Sequence, residues 1–76
     1  MTHLHTIVSF AIEANAEFRY MNGIFSIRKG NQRFDIQEKE SEVYVVTTQN
    51  IKTGNWCENI ETFPGLIDWL QRLMWL

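Results

Sequence analysis

Seventy-six residues at 9.0 kDa make a single domain, 1–76, and leave no room for a second. The chain is 45% apolar and 21% charged with a formal net charge of -2. That is too hydrophobic for a disordered segment and too evenly charged for a nucleic-acid clamp. One cysteine, Cys57, excludes an internal disulfide and points to a reducing compartment. Stability must then come from a packed aromatic core or from self-association.

The apolar run from Leu4 to Ala16 has the outline of a secretory signal, but no Lys or Arg precedes it and Glu13 interrupts its end. No stretch approaches the ~20 apolar residues of a membrane span. The expectation is a soluble cytoplasmic protein.

Apolar residues recur as Leu4, Ile7, Phe10, Ala11, Ala14, Phe18 and Met21, in steps of three and four that draw one helical stripe. The spacing predicts a helix through Met21, capped by Thr2 at its start and ended by Gly23. The competing reading stops the helix near Asn15, makes 17–21 a strand and turns the chain at Asn22-Gly23.

Alternation follows. Phe25 and Ile27 share a face, as do Phe34 and Ile36 beyond the turn at Lys29-Gly30-Asn31, which predicts a hairpin. Glu38 to Glu42 reads as a charged connection. Val43 to Thr48 is β-branched and apolar on both faces, hence a central strand buried on both sides. A weaker fourth strand spans Asn55 to Glu61. Thr62 and Pro64 then start a final helix whose stripe is Leu66, Trp69, Leu70 and Leu73. The expected class is α+β, an antiparallel meander of three or four strands between an N-terminal and a C-terminal helix.

The double-stranded RNA-binding domain shares this order of elements but presents lysines at the start of its last helix. The matching turn here is Glu61-Thr62-Phe63-Pro64-Gly65, followed by Asp68, so nothing carries over.

Chemical candidates are few. His3, His5 and Cys57 supply too few ligands for a metal, so neither metal nor cofactor is expected. Cys57 reads as a small buried hydrophobe with no base or oxyanion loop beside it, and no enzyme is expected. Glu38, Glu40 and Glu42 alternate, which in an extended segment would align them as an acidic surface for a basic partner. The final helix is apolar nearly all round, which makes Trp69, Met74 and Trp75 candidate partner anchors.

The functional expectation is a small non-enzymatic protein-interaction module. It would be a homodimer, or an inhibitor or accessory protein docking on a larger machine. Its size and mild acidity resemble small phage and mobile-element proteins, anti-CRISPR inhibitors included. The alternative is a nucleic-acid-binding accessory protein using the Arg28, Lys29 and Arg33 hairpin.

Overall fold

The computed structural model describes residues 3–75. In chain order the elements are α1 (Leu4–Glu13), β1 (Glu17–Met21), β2 (Ile24–Lys29), β3 (Gln32–Glu40), β4 (Val43–Asn50), β5 (Trp56–Thr62) and α2 (Phe63–Leu73). Each strand pairs antiparallel with the next, so the sheet order is β1-β2-β3-β4-β5. This is the expected α+β meander between two helices. It holds five strands rather than three or four.

The additional strand comes from the segment expected to continue the first helix. α1 stops at Glu13 because Asn15 takes a left-handed conformation at φ 56. Asn15 N–H donates to the Ile12 carbonyl and Ala16 N–H to the Ala11 carbonyl, both at 3.0 Å, the paired closure of a Schellman end. Phe18 and Tyr20, two residues apart, then both lie against Phe25, with ring centroids 5.7 Å and 6.3 Å away. Their period of two is that of a strand, and the helical spacing of Phe18 and Met21 to the preceding stripe was coincidental. Gly23 ends no helix: Asn22 at φ 54 and Gly23 at φ 77 form the tight turn joining β1 to β2. The expected cap Thr2 lies outside the described residues. His3 occupies the N-cap position and makes no side-chain capping bond.

Further along, β3 absorbs most of the expected charged connection. Glu38, Lys39 and Glu40 belong to the strand, and the turn is Ser41-Glu42, with Glu42 at φ 61. At the other end, Thr62 sits at the α2 N-cap with no side-chain capping bond, and Pro64 fills the first turn. The C-terminal end is held by Lys29, whose Nζ donates to the Leu73 carbonyl at 2.9 Å.

Both helices lie on one face of the sheet. The core joins Ile7, Ala11 and Ala14 of the α1 segment, Leu66, Leu70 and Leu73 of α2, and inward residues of β2, β3 and β4. Those inward residues are Phe25, Ile27, Phe34, Ile36, Tyr44 and Val46. β4 is interior to the sheet but covered on one face only. Tyr44 and Val46 are buried while Val43 and Val45 stay half-exposed, which corrects the expectation of burial on both sides. Among the described residues, no helix is long and apolar enough to cross a membrane.

Candidate interaction surface

Because the helices occupy one face, the other face of the sheet meets solvent. The strand register arranges its side chains in three rows running from β1 to β5. One row reads Met21, Ile24, Gln37, Val45, Ile60. The middle row reads Arg19, Ser26, Asp35, Thr47, Glu58. The third reads Glu17, Arg28, Arg33, Gln49, Trp56. The first row is apolar at four of its five positions, and its outer member Ile60 is 71% exposed. Trp56, at the β5 end of the third row, is 66% exposed.

The face is uneven. A depression of about 510 Å³ runs from β1 across to β4, lined by Glu17, Arg19, Arg28, Arg33, Gln49 and Ile51 among others. A smaller one of about 230 Å³ runs between Ile24, Asp35, Gln37, Lys39, Val45, Thr47 and Glu58. Arg33 Nε donates to Asp35 Oδ1 at 3.2 Å, so one of the guanidinium groups already has a carboxylate partner.

The hairpin trio of the nucleic-acid alternative is divided between the two faces. Arg28 and Arg33 are a cross-strand pair on the open face, whereas Lys29 points to the helix side and holds α2. Arg19, from the strand that sequence periodicity hid, joins Arg28 and Arg33 instead.

The three glutamates are not gathered into one acidic face. Glu38 stands opposite Tyr44 on the helix side, and the register shift beyond it pairs Glu40 with Val43, whose side chain faces the other way. Glu42 accepts from His3 Nε2 at 2.9 Å, and its own N–H donates to Glu38 Oε2 at 3.4 Å. The His3 ring also stacks on Phe63, 3.7 Å between centroids, so this histidine pins the start of α1 to α2 rather than standing in solvent. Tyr44 lies beneath this cluster. Its hydroxyl is buried without a partner in good hydrogen-bonding geometry, facing Glu38. Burial first, then the charge and hydrogen-bonding pull of Glu38, then the charge of Glu42, push the phenol up to about 12.

The aromatic anchors of the last helix also separate. Trp69 packs within the fold: its Nε1–H donates to Glu61 Oε2 at 2.9 Å, its edge meets Phe34, and the Arg72 guanidinium lies 4.2 Å over its ring. Met74 and Trp75 follow α2 and stay in solvent, Trp75 at 87% exposure.

Comparison with protein-family models, curated proteins and solved structures finds no match to this chain. The functional reading therefore rests on the chain's own chemistry. Cys57 is exposed on the edge strand β5 rather than buried. Its Sγ meets Thr48 Oγ1 at 3.1 Å and Asn59 Nδ2 at 3.6 Å, neither of them a general base. No group of three or more His, Cys, Asp or Glu side chains arranged to hold a metal occurs among the described residues.

The alternation of 17–21 and of 56–62, read as strands on a common sheet, is the signal that would have found Arg19, Trp56 and Ile60. None of these three stands out singly. They become a surface only through register.

Proposed function

We propose that this chain is a non-enzymatic protein-interaction module of the cytoplasm. The observation that carries the reading is the open sheet face, where Met21, Ile24, Val45 and Ile60 run across the strands with Trp56 at the rim. An antiparallel sheet with one face in water normally makes that face polar, and contiguous apolar side chains there mark a binding surface. Trp56 and Trp75 have the character of interface anchors, since each offers a large, rigid area not used by the chain's own core. A small inhibitor or accessory subunit of phage or mobile-element type fits this combination of size, mild acidity and one adhesive face.

The test is co-purification from the native host after nuclease treatment, repeated from about 0.1 M to about 0.5 M salt. Wild type is compared with Trp56→Ser/Ile60→Ser and with Met74→Ala/Trp75→Ala. The reading requires a protein partner, self or other, in stoichiometric amount, retained at high salt and lost in at least one variant. Retention of nucleic acid alone, falling steeply with salt, overturns it in favour of a phosphate-binding role for Arg19, Arg28 and Arg33.

A further inference from the structure

The two ends of the open face differ in shape and in charge, and the differences are complementary. The β5 end carries the projecting Trp56 and Ile60 and the carboxylate of Glu58. The β1 end carries Met21, the guanidinium of Arg19 and one end of the larger depression, which opens between Glu17, Arg19 and Arg28 and runs on to Arg33 and Gln49. We propose that this face binds a second copy of the same chain, related by a two-fold axis running along β3. This rests on the protein-interaction reading and names its partner.

In aligned packing of two sheets, a two-fold axis lying between them runs either along the strands or across them. Run along β3, it sets β1 of one protomer over β5 of the other and keeps each row facing itself. Met21 then meets Ile60 of the second copy, Ile24 meets Val45, and Gln37 meets Gln37 at the centre, so the apolar row closes on itself. Arg19 faces Glu58 twice, once at each end of the middle row. Trp56 comes down over Glu17, into the depression beside Arg28. The axial Arg33 and Asp35 are already paired within each chain, so they arrive as neutral pairs. Run across the strands, the axis would instead set Arg19 over Arg19, Glu58 over Glu58 and Ile24 over Arg28. Charge and polarity select the first.

The geometry also bounds the affinity. Five strands at about 4.8 Å spacing and strands of roughly 20 Å give a face of about 20 by 20 Å, near the small end of specific interfaces. A face of this size suits a weak, reversible dimer, and a micromolar Kd is the value the test brackets. Two aligned sheets stacked at the usual ≈ 10 Å leave reach for the long Arg19 and Glu58 side chains at the rim.

Sedimentation of the full chain from about 1 to about 200 μM, bracketing a micromolar Kd, tests this. Wild type should pass from monomer to dimer over that range. Arg19→Glu and Glu58→Arg each turn two attractive pairs into two repulsive ones and should weaken the dimer by about tenfold or more. Mixed in equal amounts, the two variants should recover near wild-type association. In the mixed dimer the two substituted positions face each other with opposite charges, and the native Glu58 of one chain faces the native Arg19 of the other. Circular dichroism of each variant checks the fold, which these exposed positions do not support. A wild type that stays monomeric at the highest concentration overturns the self-docking proposal while leaving the broader reading to the host co-purification. A dimer indifferent to both single variants, or a mixture that fails to recover, overturns this face and axis.

Discussion

Tyr44 lies where the sheet meets the start of α1, its ring centroid 6.4 Å from that of His3. Its ring is fully buried in the core, while its hydroxyl faces Glu38. The folded pKa, about 12, lies above the ordinary value of 10.0. A raised value means the protonated form is favoured by folding, so its contribution is complete below pH 10 and is lost as pH rises through 12. In a domain this small, with little stability in reserve, that loss should be measurable. Denaturant midpoints should therefore fall steeply between pH 10 and 12, and Tyr44→Phe should flatten that fall. A midpoint that declines equally in both proteins would assign the effect elsewhere. Gly65 carries a second prediction. A Cβ there would stand 2.7 Å from the Glu61 carboxylate oxygen that accepts the Trp69 indole N–H. Gly65→Ala gains up to about 1 kcal/mol of helix propensity but displaces a charge-assisted bond worth about 1.5–3 kcal/mol. The net expectation is a destabilisation of about 1 kcal/mol with a shift in tryptophan fluorescence, read from thermal melts and emission spectra.

At the scale of elements, the α1–β1 junction decides whether the chain has four strands or five. Asn15 holds a positive φ that glycine tolerates freely and β-branched residues resist. Asn15→Gly should leave the melting midpoint unchanged or slightly higher, whereas Asn15→Val should cost about 1–2 kcal/mol. Equal midpoints for the two would place the helix end elsewhere. The one-sided burial of β4 is tested by neighbouring residues. Val46 is buried against the helices, so Val46→Asp places an unpaired charge in the core and should unfold the domain. Val45 is half-exposed on the open face, and Val45→Asp should keep a cooperative transition close to that of the wild type. If Val45→Asp also unfolds the protein, the open face is covered within the monomer.

For the whole molecule, the question is how a chain of 76 residues sustains a core with helices on only one side of its sheet. A domain of this size buries roughly 60% of the surface its unfolded chain exposes, and a second copy on the open face would add to that burial. Linkage then makes stability depend on concentration. The thermal midpoint should rise by a few degrees between about 1 and 100 μM for the wild type and stay flat for Arg19→Glu, as followed by circular dichroism. A flat wild-type response would mean that the two helices alone stabilise the sheet.

Periodicity and turn chemistry were enough to determine the class of this protein. The alternation of Phe25, Ile27, Phe34 and Ile36 and the Leu66, Leu70, Leu73 stripe each led to an element that exists with its buried residues on the expected side, while the β-branched Val43 to Thr48 led to a strand that exists but is buried on one face only. These signals are local, so a short window holds all of the information. The strand 17–21 escaped because its apolar residues fit a helical step as well as a strand's, and only contact with Phe25 breaks the tie. The fates of Trp69, Cys57 and the three glutamates were likewise out of reach of spacing, since each depends on a partner distant in sequence or on a single-residue register shift. Above all, which side of the sheet the helices cover is settled by packing, when Ile7, Ala11, Leu66 and Leu70 find the same sheet face. That choice leaves Trp56 and Ile60 in water and sets Arg19 and Glu58 at opposite ends of one row. A surface made of one residue from every strand has no sequence period of its own, and it forms only when the strands are laid side by side.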